Sequence, residues 1–292
     1  MRIVVASGKG GTGKTTVATS LALVAAQLHE VCFRECDVEA PNAALFLHPA
    51  LDTHREVGIL VPQIDTQLCT YCGKCARVCQ FHAIAIVGKK ALVFPDICHG
   101  CGSCTLVCPQ EAISERLAVL GVIDSGLSPE GIAFAQGVMN VGQPMSVPIL
   151  RELKKWCPEL PHTHRGEQAR EIDIRDAPPG ASCPVVETLR GADFVLLVTE
   201  PTPFGLHDLK QVAAITRALG LPAGVVINRD GIGDDAVGAW CAAHDLPILL
   251  RIPMQRQIAE GIARGNTLVS AAPEYRPRFH DLLEAIIKRV DA

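Results

Sequence analysis

Two sets of residues in this sequence have types and spacings that do chemistry. The first is Gly8-Lys9-Gly10-Gly11-Thr12-Gly13-Lys14-Thr15, which fits G-x-x-x-x-G-K-S/T. In that pattern glycines let successive backbone N–H groups close around phosphates. Lys14 adds a point charge, and Thr15, followed by Thr16, offers a hydroxyl to magnesium. The second set is Cys69, Cys72, Cys75 and Cys79, spaced C-x2-C-x2-C-x3-C. Cys98, Cys101, Cys104 and Cys108 repeat it 29 residues on and end in Cys108-Pro109. Thiolates this close bind metal, as iron–sulfur clusters or, for C-x2-C pairs, as tetrahedral zinc. Four in one tight run, twice, with proline after the last, favour clusters over zinc. Thirteen cysteines in all read as metal ligands before disulfides in a cytoplasmic chain.

These residues need a scaffold, and hydrophobic patterning predicts one. Arg2 to Ala6 reads as a short buried strand and Thr16 to Leu28 as an alanine-rich helix whose N-terminus points at the phosphates. Val31 to Glu35 is a second strand that runs into Cys36-Asp37-Val38-Glu39-Ala40-Pro41-Asn42. Asp37 thus stands at the carboxyl end of a strand beside the phosphate loop, either to orient a water or simply to cap the next turn. Glu171 to Asp176 is an alternating strand followed by Ala177-Pro178-Pro179-Gly180. Asp176 is placed to hold magnesium through water, and Gly180 to bring its N–H close to a γ-phosphate.

Composition shifts abruptly near Pro62 and again near Ser114, so 62–114 reads as an inserted domain that interrupts a core formed by 1–61 and 115–292. Leu117 to Ile123 resumes as a strand, Gly126 to Val147 sustains neither period, and Pro148 to Trp156 is an amphipathic helix. Pro158 to Arg170 reads as a loop whose His162 and His164 are solvated rather than metal-binding. His82 and His99 read as surface polar residues beside the cysteines. Strands at 194–199, 223–228 and 248–252 then alternate with helices at 205–219, 236–244, 255–264 and 274–290. The expected fold class is α/β, a mostly parallel sheet covered by helices on both faces with a small inserted α+β unit.

Lys9 sharpens the assignment. Lys9-Gly10-Gly11-Thr12-Gly13-Lys14-Thr15 resembles the deviant Walker A of the MinD/ParA/Mrp class of P-loop ATPases. Asp37-Val38-Glu39-Ala40-Pro41-Asn42 is similar to the switch I of MinD-type members, although Glu35 stands where they usually have aspartate. The run from Asp176 through Gly180 to Cys183-Pro184 resembles the switch II of members that carry ferredoxin inserts. The cysteine repeat resembles bacterial ferredoxin, with Gln80 where that pattern expects proline. The resemblance implies an ATP-dependent homodimer in which Lys9 reaches across to the partner's nucleotide. It further implies that Lys9, Lys14, Asp37 and Asp176 serve hydrolysis of ATP to ADP with Mg2+. It implies two 4Fe-4S clusters, one on Cys69, Cys72, Cys75 and Cys108, the other on Cys98, Cys101, Cys104 and Cys79. Asn228, followed by Arg229, matches the position that reads the adenine edge, with capping as the alternative, and the loop after Pro253 would pack on the base.

Bulk properties exclude other classes. At 292 residues and 48% apolar content the chain can bury a sizeable core, yet no run approaches the roughly 18 apolar residues of a membrane span. No secretory leader precedes the first strand, so a soluble cytoplasmic protein is expected. A net charge of -4 and 4% aromatic residues provide neither a field nor stacking platforms for nucleic acid. Three roles follow: ATP-gated electron transfer to a redox or metallocofactor partner protein, Mrp-like iron–sulfur assembly, or MinD-like positioning with structural or sensing clusters. The second is weakened because only Cys241 follows Cys183, and membrane positioning because the last helix has mixed charge. Cys183, with Cys157, is a weaker candidate for a third, bridging cluster; a buried packing role is the favoured alternative.

Overall fold

The computed structural model describes residues 1–156, 160 and 169–292; Cys157, His162 and His164 lie outside the described residues. Its strands are β1 (Arg2–Ala6), β2 (Glu30–Glu35), β3 (Ala50–Ile64), β4 (Ile84–Val87), β5 (Lys90–Val93), β6 (Ile113–Leu127), β7 (Ala133–Met139), β8 (Glu171–Asp176), β9 (Phe194–Thr199), β10 (Ala223–Asp230) and β11 (Ile248–Pro253). Among the described residues, nine of them form one sheet in the order β11-β10-β9-β1-β8-β2-β7-β6-β3. Pairing is parallel from β11 through β7 and antiparallel for β7–β6 and β6–β3.

β2 and β9 are buried at every position. A strand without a solvent face needs helices on both sides, and the chain supplies them. The helix Lys14–Ala25 buries ten of its twelve residues, the mark of a helix enclosed all round. It packs with the helix Arg276–Val290 on one face of the sheet, over a core containing Leu21, Phe33, Phe134, Phe194 and Phe279. Phe33 and Phe134 stack across β2 and β7 at 5.7 Å. Helices Cys183–Leu189, Pro203–Ala218 and Ala236–Ala243 cover the other face around Val185, Leu209, Val212 and Cys241. Each fully buried aromatic or branched side chain contributes about 1.5–3 kcal/mol, so this double layer is the main source of stability.

Within this sheet the sequence reading overlooked two strands. β7 lies in the stretch expected to be irregular. Its residues are buried on both faces, so no alternation betrays it, and Gly137 is required because a Cβ there would lie 2.6 Å from Val38 Cγ1. β3 carries Asp52, His54, Arg55 and Glu56 on an exposed edge, and these charges mask its period. β3 and β6 pair from Ala50↔Leu127 to Ile64↔Ile113, whereas β6 meets β7 only between Gly121 and Leu127. The rest of this ribbon extends past β7 and holds residues 65–112 at its tip. Pro62 and Ser114, where composition changes, still belong to the ladder; Pro62 is tolerated because β3 is an edge strand.

Candidate functional site

Three neighbouring parallel strands, β1, β8 and β2, end together. Their carboxyl ends deliver the glycine loop, Asp176 and Glu35 to one edge of the sheet, the position where open α/β sheets bind ligands. A cavity of about 640 Å3 opens there. Lys9, Gly10, Gly11, Gly13, Lys14, Thr15 and Thr16 line it from the loop, Asp37 and Asn42 from the segment after β2, and Pro179 from the turn after β8. Asn228, Arg229 and Pro253 close the far side, and Ile258 and Ile262 of the helix Arg256–Ala263 add an apolar wall that sequence reasoning missed. Gly8 and Thr12 belong to the loop but not to the lining; Thr12 is buried.

Gly13 has φ +89°, and a Cβ there would lie 2.2 Å from Asn228 Nδ2, so only glycine fits. Asn228 Nδ2 donates to the Thr12 carbonyl at 2.8 Å. The asparagine therefore braces the phosphate loop with one amide hydrogen, a role that neither base reading nor capping anticipated.

Lys14 Nζ lies 2.5 Å from Asp176 Oδ1, both side chains buried. Burial works against the ammonium, but Asp176, Glu35 and Asp37 outweigh it and hold Lys14 above its ordinary pKa. Among the described residues, Asp176 Oδ2 is buried without a hydrogen-bond partner. An orphaned carboxylate oxygen on the residue paired with Lys14 of the phosphate loop suits a hydrated magnesium ion, so the residues present fit that metal. Asp37 is pushed above its usual range by burial, against the pull of Lys14. Gly180 has φ +97°, and its N–H donates to the Ser7 carbonyl at 2.9 Å, tying switch II to the end of β1.

Glu35 is fully buried. Its carboxylate accepts the backbone N–H groups of Asp37, Asn42 and Ala43 at 3.0, 3.1 and 2.9 Å. Burial, then Asp176, push its pKa up to about 8 against these donors and Lys14. The extra methylene relative to aspartate thus reaches across the switch I loop and ties it down. Lys9 is ion-paired with Glu200 of its own chain, and Arg229 Nη1 meets the other Glu200 oxygen at 3.1 Å. Glu200 directly follows the end of β9, beside β1, so the strand-end rule that singled out Asp37 also reaches it.

Residues 65–112 show the sequence repeat in their backbone. Positive φ occurs at Tyr71 and Gly100, at Gly73 and Gly102, and at His82 and Glu111, each pair 29 residues apart. Short helices start at Lys74 and Ser103 with the same offset. Asp65 N–H donates to Ala112 O while Phe94 N–H donates to Ala83 O, an exchange relating the two copies by an approximate two-fold axis. Cys69, Cys72, Cys75 and Cys108 line one cavity. Cys79 packs beside Cys98, with Ala83 and Val61. Backbone N–H groups of Tyr71, Ala83 and Gly100 point at the sulfurs of Cys69, Cys79 and Cys98 at 3.4, 3.3 and 3.4 Å.

The thiols also alternate in acidity. The Lys74 N–H holds Cys72 below its ordinary pKa, and the Ser103 hydroxyl does the same for Cys101, whereas burial raises Cys75 and Cys104. Among the described residues, no three His, Cys, Asp or Glu side chains converge as a group that could hold a metal ion. Four thiols around one small cavity, with the Tyr71 N–H aimed at the sulfur of Cys69, are the donor type that a 4Fe-4S cluster takes. Phe81 stacks on His99 at 3.6 Å. Cys183 is exposed at the start of its helix, not buried as the packing alternative required.

The comparisons agree with the nucleotide-binding part of this geometry. Residues 3–269 match the CobQ/CobB/MinD/ParA nucleotide binding domain. The chain belongs to that family of P-loop nucleotide-binding proteins. It is 32% identical over 271 residues to the uncharacterized protein MJ0579 of Methanocaldococcus jannaschii, covering 92% of this chain and 91% of the relative. It is 24% identical over 294 residues to the uncharacterized ATP-binding protein MJ0547 of the same organism, covering 99% and 88%. Among solved structures, the cell division ATPase MinD of Pyrococcus furiosus shares the fold with a TM-score of 0.58 at 21% identity, covering 98% of each chain. The septum site-determining protein MinD of Pyrococcus horikoshii, complexed with Mg-ADP, does so with a TM-score of 0.55 at 19% identity, covering 98% and 95%. No helix among the described residues is long and apolar enough to cross a membrane.

Proposed function

We propose that this protein is an ATP-hydrolysing, dimerising P-loop switch that carries two 4Fe-4S clusters in the inserted domain 62–114 and gates electron transfer to a partner protein by its nucleotide state. The observation that carries the reading is the arrangement of eight cysteines, in a two-fold repeated backbone, at the tip of a ribbon built into the ATPase sheet.

Lys14 exchanges Asp176 for the β- and γ-phosphates, and Thr15 with Asp176 holds hydrated Mg2+. Asp37 orients the attacking water. Gly180 gives up the Ser7 carbonyl to donate to the γ-phosphate, which moves switch II. Lys9 leaves Glu200 for the nucleotide of a second copy, so dimer formation and release of that ion pair are one event. Asn228 holds the loop from the base side, while Arg229, Pro253 and Ile258 flank the base. Cys69, Cys72, Cys75 and Cys108 hold one cluster, and Cys98, Cys101, Cys104 and Cys79 the other. The clusters, when bound, supply one-electron redox chemistry. Switch I, tied to Glu35, leads into β3 and hence to the ribbon, which is the covalent route from nucleotide to cysteines.

Anaerobically purified protein is expected to contain about eight irons and eight acid-labile sulfides per chain. The Cys104→Ser and Cys101→Ser double variant should retain about half, and Lys14→Ala should lose ATP turnover with iron intact. Retention of zinc instead, or absence of sulfide, refutes the cluster assignment. A second reading, a MinD-like positioning ATPase whose clusters are structural, fits the nucleotide site equally well, since the MinD fold extends over 98% of the chain.

A further inference from the structure

On the helical face remote from the glycine loop, a cleft of about 450 Å3 lies between Arg2 of β1, Arg175 of β8 and the helices Val147–Lys155 and Cys183–Leu189. Six of the seven described residues that line it are cationic, in a chain whose net charge is -4. Glu187 is the lone acid among them, and three cations share it. Lys154 Nζ takes the near position at 3.0 Å, leaving Arg151 at 3.5 Å and Arg190 at 3.6 Å, too long for good hydrogen bonds. Arg2 is satisfied by Asp193 at 3.0 Å and Lys155 by Glu152 at 2.8 Å.

The floor is different in kind. Arg175 is 4% exposed; its Nε and Nη2 bind Asp173 at 2.9 and 2.8 Å, while Nη1 is buried with no partner among the described residues. A buried guanidinium N–H without an acceptor carries the full cost of desolvation, and an oxyanion in the cleft would remove it. We propose that this cleft binds a small oxyanion of two or more charges, with Arg175 Nη1 at its base and Arg151 and Arg190 on its walls. Such a ligand competes with Glu187 for its underused cations.

Two connections make the site regulatory. Arg175 is the residue before Asp176, and Glu187 sits on the helix that directly follows switch II. An anion that draws Arg151 and Arg190 off Glu187 therefore bears on both, and by linkage nucleotide must alter the anion's affinity as the anion alters nucleotide's.

The test titrates inorganic phosphate, and separately malonate, into the full chain saturated with Mg-ADP at constant ionic strength. The readout is the NMR signal of the Arg175 Nε–H. The proposal expects saturable 1:1 binding of both, and an apparent Kd raised at least about tenfold in the Arg151→Glu, Arg190→Glu double variant. Both substituted side chains are largely exposed, at 60% and 59%, so the variant should fold and bind Mg-ADP as before. Phosphate without malonate would define a phosphoryl source, and malonate without phosphate a carboxylate source. Absence of a saturable shift would overturn the site, as would equal binding by the variant, the result of an adventitious ion only. Saturation by an acidic peptide when both small anions fail would overturn it in favour of a protein contact.

Discussion

At the scale of single residues, the nucleotide cleft is a set of charges held in pairs that nucleotide must rearrange. Lys14 and Asp176 neutralise each other in a buried site, so removing one strands the other. Asp176→Asn is expected to lower kcat for ATP by roughly 10^2–10^3, as loss of a preorganised charge does, and steady-state kinetics would read it. Glu35 acts differently, through the backbone of switch I rather than on phosphate. Glu35→Gln keeps the size but turns an N–H toward donors, and should cost about 1–3 kcal/mol of unfolding free energy in denaturant melts. It should also slow turnover more than it weakens ADP binding. Equal losses in both would make Glu35 merely structural. Gly13→Ala should lower ADP affinity in calorimetry, because φ +89° costs about 1–3 kcal/mol for alanine and the added methyl strikes Asn228.

At the scale of elements, the sheet brings strand ends together and the ribbon carries the cysteines away from them. The helices Val147–Lys155 and Cys183–Leu189 are tied by Lys154, which donates to both the carboxylate and the carbonyl of Glu187. Burial alone would raise the Glu187 carboxyl, but Lys154 and Arg151 hold it below its ordinary value. A folded pKa below the unfolded one means that the stabilisation is complete above about 4.5, the ordinary glutamate value, and is lost as pH falls through the folded value. Glu187→Gln should therefore flatten the acid limb of a plot of melting stability against pH; an unchanged limb would show that the tie contributes nothing.

The elements most legible in the sequence were those with a period or a motif: the glycine loop, β1, β2, β8 to β11, and the amphipathic helix at 147–155. β7 was not legible, since burial on both faces erases alternation, nor was β3, whose charged edge hides it. The cysteine repeat was legible because it is local, and the backbone of residues 65–112 repeats with the same offset of 29. The Lys9–Glu200 pair and the brace from Asn228 to Thr12 depend on contacts across 191 and 216 residues, which no local pattern reports. The length of Glu35 was visible, but its three backbone partners depend on how the loop folds back.

At the scale of the whole molecule, a continuous ribbon, β3 paired with β6, joins the family fold to the cysteine-bearing residues 65–112. Lys9 is held in its own chain by Glu200, so Lys9→Ala should abolish ATP-dependent dimerisation, whereas Glu200→Gln should favour it; light scattering with a slowly hydrolysed ATP analogue reads both. The central claim is that nucleotide state reaches the cysteines. Its most direct test is the EPR spectrum and midpoint potential of the reduced, anaerobic protein, recorded with and without Mg-ATP. Two 4Fe-4S signals are expected whose line shape or potential shifts on adding Mg-ATP, with the shift absent in Lys14→Ala. Clusters that are present but give identical spectra and potentials in both conditions would contradict it.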